Sequence, residues 1–248
     1  MSVPNPDKFL DGRVVADQRG AGFRSGLDAV MLAASVPAGA GETALELGSG
    51  AGVASLCLAA RVPGCEIWGL EIDPALVRLA TANAAANNAA DRVHFLAGDA
   101  LQPPPELRHE FQHVFCNPPF HAGEGQTPPA AARARALHDA GTLPDWLAAG
   151  LKRTASGGSF TAILRADRLG EALAALPERG LAILPLWPKA GGPSRQGEAA
   201  KRVVVQCRKG ARAPLALLPG LVLHEADGRY TPRADAILRG RETLSFLA

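Results

Sequence analysis

The 248-residue sequence predicts an α/β protein in which a mostly parallel sheet carries helices on both faces. Three observations lead to this prediction. Short apolar runs of strand length alternate with amphipathic segments of helix length. Glycines, prolines and single acidic residues follow directly after several of the apolar runs. The composition, 47% hydrophobic and 20% charged, is that of an ordinary soluble globular domain and excludes wholesale disorder.

Each element can be placed from its pattern. A short extended pair is expected around 12–17 and a helix at 26–35. Asp73 with Pro74 predicts the start of one helix, and Thr142 with Asp145 forms the capping-box pattern of another. A further helix runs through Leu169 to Leu176, and Gly180 is expected to end it. Seven strands are predicted, at 43–47, 66–72, 93–97, 113–116, 159–165, 181–186 and 203–207.

The organisation along the chain predicts one domain over 1–248, with an N-terminal extension (1–41), a core (42–209) and a tail (210–248). The formal net charge of +2 is too small to imply a polyanionic partner unless the charge is segregated. The four cysteines are widely spaced, which argues against a disulfide framework or a zinc site and favours a reducing, cytoplasmic compartment. No membrane span, metal or signal peptide is expected, and the pattern leaves the oligomeric state open.

A glycine-rich turn follows the first core strand. Gly48, Gly50 and Gly52 lie between that strand and a helix, where glycine lets the backbone turn sharply and approach a ligand closely. About 20 residues later, Glu71 ends the second strand, at the position where a carboxylate can accept hydrogen bonds from ribose hydroxyls. A nicotinamide-binding fingerprint would require glycine in place of Val53. A plain turn with solvated capping acids is the other alternative.

The spacing of these glycines, with acids at three successive strand ends, resembles the class I S-adenosylmethionine-dependent methyltransferases, a Rossmann-like fold. The resemblance implies that Glu46 and the glycine turn flank the methionine part of the cofactor and that Glu71 holds its ribose. It also implies that Asp99 faces the adenine amine. The full set of cofactor-binding residues expected on this basis is Arg24, Asp28, Glu46, Gly48, Gly50, Gly52, Glu71, Ile72, Asp99, Ala100 and Asn117.

The fourth strand ends in Asn117-Pro118-Pro119-Phe120. Prolines cannot continue a sheet ladder, so the chain leaves the sheet here. The sequence resembles the (Asn/Asp/Ser)-Pro-Pro-(Tyr/Phe/Trp) motif of enzymes that methylate planar exocyclic or amide nitrogens. The Asn117 side-chain oxygen and the Pro118 carbonyl are suited to accept the two hydrogens of an adenine N6, and Phe120 to stack on an extruded base. These three residues are the predicted catalytic residues.

The segment from Gly22 to Leu32 resembles the one that precedes the cofactor turn in bacterial adenine-N6 methyltransferases acting on valine tRNA. That family covers its cofactor with this segment, which implies a role for Arg24 and Asp28. An ion pair between these two residues at the start of the helix is the alternative. This chain has Leu27 and Phe120 where related sequences often have threonine and tyrosine.

Positive charge is concentrated between residues 189 and 212, with a local balance of +6. A loop at 191–200 and a second segment at 121–139, next to Phe120, are candidates for contact with RNA phosphates. A solvated loop that aids solubility is the alternative. The predicted RNA-binding residues are Arg133, Arg135, Arg195, Lys201 and Arg202, within a run whose seven cations are Lys189, Arg195, Lys201, Arg202, Arg208, Lys209 and Arg212.

The sequence therefore predicts a methyltransferase that uses S-adenosyl-L-methionine and acts on adenine N6 in RNA, with tRNA as the expected RNA. Three other functions stay open. A protein-glutamine methyltransferase shares the motif at Asn117 but usually has a helical N-terminal domain. A DNA or rRNA adenine methyltransferase is the second, and a DNA enzyme would normally need a separate recognition domain. A non-catalytic RNA-binding module is the third, although the intact turn and acids argue against it.

Overall fold

The computed structural model describes residues 6–19, 24–119, 142–189 and 198–246. Nine strands of this part of the chain form one sheet, and two more, β1 (Asp7–Phe9) and β2 (Val14–Ala16), form a separate antiparallel hairpin. The sheet strands are β3 (Thr43–Leu47), β4 (Glu66–Glu71), β5 (Val93–Ala97), β6 (Phe111–Cys116), β7 (Thr154–Arg165), β8 (Leu181–Lys189), β9 (Arg202–Arg208), β10 (Ala216–Leu217) and β11 (Leu221–His224).

The main path of the sheet runs β5-β4-β3-β6-β7-β9-β8. Strands β3 to β7 are parallel, and β9 alone runs antiparallel, between β7 and β8. The order reverses between β3 and β6, which is where open sheets of this kind bind ligands beyond the strand ends. We call the edge at which β3 to β7 end the carboxyl edge, and the edge at which they begin the amino edge.

The helices cover both faces of the sheet. They are α1 (Leu27–Ser35), α2 (Val53–Arg61), α3 (Pro74–Ala86), α4 (Leu143–Arg153), α5 (Leu169–Ala175) and α6 (Pro232–Leu238). One core cluster includes α1, α2 and α6 and the strand side chains that face them, such as Ala44 and Phe115. The other includes α4 and α5 with Leu45, Val114 and Phe160.

The α/β prediction is confirmed, and the seven predicted strands form the main path of the sheet. The Asp73 cap is present, since its carboxylate accepts from Ala75 N at 2.8 Å, and the capping box of Thr142 and Asp145 is formed. The tail adds β10 and β11, both parallel to β8, which the sequence pattern did not predict. No helix among the described residues is long and apolar enough to cross a bilayer.

One predicted helix end is wrong. Helix α5 ends at Ala175, several residues before Gly180, and Leu176 is already extended with ψ 153°. The cause is Pro177, which disfavours helical geometry in the residue before it. Gly180 instead takes a left-handed φ of 69° at the entry to β8, where a Cβ would lie 2.7 Å from the Arg208 carbonyl oxygen.

Candidate active site

The carboxyl edge gathers the predicted site residues from four neighbouring strands. Leu47 pairs with Leu70 on one side and with Cys116 on the other, so the residues that follow β3, β4 and β6 emerge side by side. Gly48 N and Ser49 N donate to the Leu70 carbonyl at 2.8 and 3.0 Å, which ties the glycine turn to the end of β4. The turn and the residues after β6 therefore share one site.

The three glycines of the turn are required by backbone geometry and by close neighbours. Gly48, Gly50 and Gly52 have φ values of 71°, 54° and 81°, in the left-handed region that favours glycine. A Cβ on Gly48 would lie 2.9 Å from the Trp146 ring, and one on Gly52 would lie 2.6 Å from the Phe95 ring. Aromatic side chains from β5 and α4 thus leave no room for side chains at two of the three positions.

Glu71 is held in place by backbone amides. Its Oε2 accepts from Gly50 N at 2.8 Å and its Oε1 accepts from Asp73 N at 3.0 Å. A carboxylate has about four lone-pair sites, so acceptor capacity remains for further donors such as ribose hydroxyls. The side chain is therefore oriented in advance, and it couples the end of β4 to the glycine turn.

The residues expected around an adenine lie at the next strand ends. Ile72 is 47% exposed, which is unusual for a large apolar side chain and leaves an apolar surface beside Glu71. Asp99 is partly buried after β5, and its Oδ1 accepts from Leu101 N at 2.8 Å. Ala100 is buried beside it. An apolar face next to a fixed carboxylate suits a purine ring with an exocyclic amine.

Glu46 differs from the other acids of the site because its carboxylate binds the first turn of the helix that follows the glycine turn. Its Oε2 accepts from Ser55 N at 3.0 Å and from Ser55 Oγ at 2.5 Å, at the first turn of α2. Burial raises the pKa of the Glu46 carboxyl to about 8, and the nearby Glu71 charge acts in the same direction. These contacts show Glu46 anchoring the helix that follows the glycine turn.

Asn117 carries an unpaired acceptor. Strand β6 ends at Cys116, as the prolines that follow Asn117 require, and Pro118 is buried while Asn117 and Pro119 are partly buried. Among the described residues, Asn117 Oδ1 is one of four buried side-chain polar atoms with no hydrogen-bond partner. Such atoms are costly in native proteins and indicate a missing partner. Phe120, the next predicted residue, lies outside the described residues.

Arg24 and Asp28 do not pair with each other, so the expected alternative of a helix-start ion pair is wrong. Arg24 binds Asp7 of β1 with N–O distances of 2.6 and 2.7 Å. Asp28, in the first turn of α1, accepts from Arg202 Nε at 2.8 Å. Two residues that the sequence assigned to separate cofactor and RNA sites are therefore direct neighbours.

The described residues of the basic run lie at both edges of the sheet. Because β9 is antiparallel, Arg202 at its start lies opposite Arg165 on the carboxyl edge, whereas Arg208 at its end lies opposite Ser159 on the amino edge. Lys201 faces Glu198 at 3.9 Å on the carboxyl edge. Of the other predicted RNA-binding residues, Arg133, Arg135 and Arg195 lie outside the described residues.

Sequence reasoning missed the two aromatic residues that shape the glycine turn and the serine that binds Glu46. Trp146 and Phe95 each lie more than 40 residues from the glycine they contact, and no spacing rule links them to it. Ser55 carries a weak signal, since a serine in the first turn of a helix suits a nearby carboxylate acceptor. Glu46, the glycine turn, Glu71, Asp99 and Asn117 all lie at or directly after the ends of β3 to β6, and their roles stay predictions.

The fold and this site define a class I S-adenosylmethionine-dependent methyltransferase. A family model described as the methyltransferase small domain matches residues 25–143. Among solved structures, a predicted O-methyltransferase from Agrobacterium tumefaciens is similar, with a TM-score of 0.72 and 27% identity over 89% of this chain and 100% of that one.

Curated relatives identify the family within this class of methyltransferases. A tRNA1(Val) (adenine(37)-N6)-methyltransferase from Porphyromonas gingivalis is 37% identical over 145 residues, and the match spans only 56% of that protein and 56% of this chain. An enzyme of the same name from Aeromonas hydrophila is 30% identical over 214 residues, which are 85% of this chain and 86% of that protein. The chain belongs to the family of tRNA1(Val) (adenine(37)-N6)-methyltransferases.

Proposed function

We propose that this protein transfers a methyl group from S-adenosylmethionine to the exocyclic N6 of an adenine in RNA, with adenine 37 of tRNA1(Val) as the target. The names of the two relatives given above state that target. The observation that carries the proposal is the buried Oδ1 of Asn117, next to the glycine turn, which has no hydrogen-bond partner in the part of the chain that the structure describes. An acceptor without a donor at this position suits a substrate nitrogen that bears hydrogens.

The residues at the carboxyl edge fit the cofactor. Three of the five residues of the turn are left-handed glycines without side chains, and no atom lies within 4 Å of the Cβ position of Gly50. Glu71 is fixed in a position to accept from ribose hydroxyls, with Ile72, Asp99 and Ala100 around the adenine. When bound, the cofactor supplies an electrophilic methyl group on a sulfonium. Arg24 and Asp28 belong to the segment before the core, which covers the bound cofactor.

The chain's own residues activate the nitrogen. An adenine N6 lone pair is delocalised into the ring, so the nitrogen is a poor nucleophile. The Asn117 side-chain oxygen and the Pro118 carbonyl each accept one N6–H, which favours a pyramidal nitrogen and stabilises its growing positive charge. Losing one such partner costs about 3 kcal/mol in the transition state. The methylated amine is a cation that sheds its proton readily, so no strong base is required.

Recognition of the base relies on Phe120 and on the cations of the two candidate RNA segments. Stacking on Phe120 contributes about 1–3 kcal/mol and offsets part of the cost of extruding the base. Contacts to the RNA phosphates come from Lys201, Arg133, Arg135 and Arg195.

Four described cysteines are free and buried, in keeping with a reducing cytoplasm where tRNA is modified.

The test is methyl transfer to total RNA. RNA from a strain that lacks this protein is incubated with the enzyme and S-adenosylmethionine labelled in its methyl group, then digested and analysed by nucleoside mass spectrometry. The proposal expects N6-methyladenosine, mapped to position 37 of tRNA1(Val). Absence of a labelled nucleoside in RNA would overturn the proposal, and label in a glutamine in a parallel reaction with cell protein would assign a protein-glutamine methyltransferase instead.

A further inference from the structure

The amino edge of the sheet carries a second concentration of positive charge. The segments 105–110, 152–154, 177–180 and 207–213 meet there, because each lies just before or just after a strand that starts or ends at this edge. They contain seven cations and three acids, a net charge of +4. We call the cations the basal patch: Arg108, Lys152, Arg153, Arg179, Arg208, Lys209 and Arg212.

Hydrogen bonds to backbone carbonyls hold these segments together. Arg179 Nη1 donates to the Arg212 carbonyl at 2.9 Å, and Arg208 N donates to the Gly180 carbonyl at 2.8 Å. On the other side of β7, Arg153 donates to the Arg108 carbonyl. Lys209 Nζ lies between the two groups and bonds the Thr154 carbonyl at 2.5 Å. The patch is thus one surface rather than scattered charges.

The pairing of cations differs sharply between the two edges. On the carboxyl edge, Arg165, Arg168, Lys201 and Arg202 each face a carboxylate. In the basal patch only Lys209 does, with Glu110 Oε1 at 3.0 Å, and the other six cations form no ion pair with any described residue. Unpaired like charges repel one another and destabilise the fold, so their concentration at one surface favours an anionic partner.

Helix electrostatics accounts for only part of the patch. Lys152 and Arg153 lie in the last turn of α4, where cations offset the helix dipole. Arg108, Arg179, Arg208 and Arg212 lie outside any α-helix. Arg208 and Arg212 are exposed, and neither guanidinium makes a hydrogen bond to another described residue. Lys152 is exposed as well, but the helix dipole accounts for its position, so Arg208 and Arg212 are the clearest candidates for contact with a ligand.

We propose that the basal patch binds the phosphates of the RNA substrate at a distance from the target base. This proposal rests on the proposed function. Along β9, six residue steps separate Arg202 from Arg208, a distance of about 20 Å. A folded RNA that presents one nucleotide to Asn117 carries phosphates well beyond that distance. The basal patch therefore contributes affinity for the body of the RNA, and the carboxyl edge selects the nucleotide.

The experiment compares full-length tRNA1(Val) with its isolated anticodon stem-loop. Binding is measured against salt concentration for the wild type, for R208A/R212A and for R208K/R212K. The alanine variant should bind tRNA about tenfold more weakly at low salt, with a salt slope reduced by about 1.5, and should bind the stem-loop as the wild type does. The lysine variant keeps both charges and should restore tRNA binding.

Controls separate this proposal from the proposed function. R233A removes a cation from α6, which packs on α1 and β11, and should leave tRNA binding unchanged. Methylation of the stem-loop tests the proposed function alone and should be equal in all variants. Equal tRNA affinity in wild type and R208A/R212A would overturn the patch proposal, as would an equal loss for tRNA and stem-loop. Altered self-association in sedimentation with tRNA affinity unchanged would assign the patch to a second copy of the chain instead.

Discussion

Arg202 and Asp28 form an ion pair that joins the start of β9 to the first turn of α1, with 2.8 Å between Nε and Oδ2. The two side chains are 31% and 16% exposed, so the pair is partly shielded from solvent. It connects the segment before the core to the antiparallel strand, across 174 residues of sequence. Arg202 is thus engaged within the protein, and its contribution to RNA binding competes with this contact.

A double-mutant cycle measures this pair. R202A, D28A and the double variant are compared by urea unfolding, and the coupling free energy should be about 1 kcal/mol, since the pair is partly screened. D28A should also weaken cofactor binding if the start of α1 is displaced. A coupling free energy near zero would contradict a structural pair and would leave Arg202 available for phosphate contacts.

Asn117 provides the sharpest test of the chemistry. N117A should lower kcat about 100-fold, because it removes one of the two acceptors of the substrate nitrogen, while the affinity for S-adenosylmethionine in calorimetry stays within about twofold. N117D keeps an oxygen acceptor and should retain more activity than N117A. If N117A turned over at the wild-type rate, the acceptor role would be refuted.

Burial of Glu46 makes the stability of the protein depend on pH. Its pKa rises from 4.5 to about 8 on folding, so between these values the folded state holds a proton that the unfolded state has lost. The contribution of Glu46 to the free energy of unfolding therefore falls as pH rises from about 5 to 8, by up to a few kcal/mol. E46Q keeps an acceptor for Ser55 and removes the titration.

Urea unfolding of the cofactor-free protein at several pH values checks this. E46Q should gain stability relative to the wild type as pH increases over that range. Glu42 serves as a control, because its contribution to stability depends on pH in the opposite direction. Hydrogen bonds from His113 and the Gly39 amide lower its pKa. Its stabilising contribution is present above its unfolded pKa and is lost as pH falls through the lowered folded value. Parallel pH profiles for E46Q and the wild type would contradict a raised pKa.

Periodicity predicted the sheet because its core strands are long enough to show a pattern. The five to six residues of β3, β4 and β5 form apolar runs bounded by turn residues, which is the signal that the sequence provides. Strands β10 and β11 have two and four residues, and they pair with the edge strand β8 alone. Segments this short carry no periodicity, so they become visible only when β8 is in place.

The positions of Glu71 and Asn117 could be predicted, because each ends or directly follows an apolar run of strand length. Contacts that depend on the direction of a strand in the folded sheet could not be predicted. The basic run is continuous in sequence from residue 189 to 212, but the antiparallel direction of β9 places Arg202 and Arg208 at opposite edges of the sheet. Likewise, the ion partners of Arg24 and Asp28 come from β1 and β9, and nothing in the local sequence indicates them.

Phe95 makes the third glycine of the turn a packing requirement as well as a conformational one. Its ring would lie 2.6 Å from a Cβ on Gly52 and would also clash with one on Gly69, so it occupies the space that both side chains would need. G52A should therefore lose about 2–4 kcal/mol of stability, from the left-handed φ of 81° and from the clash with the ring. It should weaken cofactor binding as well, because the turn must move.

A matched set of variants separates the cost of the left-handed backbone from the cost of the clash with the Phe95 ring. G50A meets a positive φ of 54° with no atom within 4 Å of its Cβ, so it should lose only the backbone term, about 1 kcal/mol. Adding F95L to G52A opens space beside the ring position and should recover part of the stability, although F95L alone destabilises the wild type. Urea unfolding measures all of these variants. If F95L made G52A less stable by as much as it does the wild type, contact with the ring would not be what excludes a side chain at position 52.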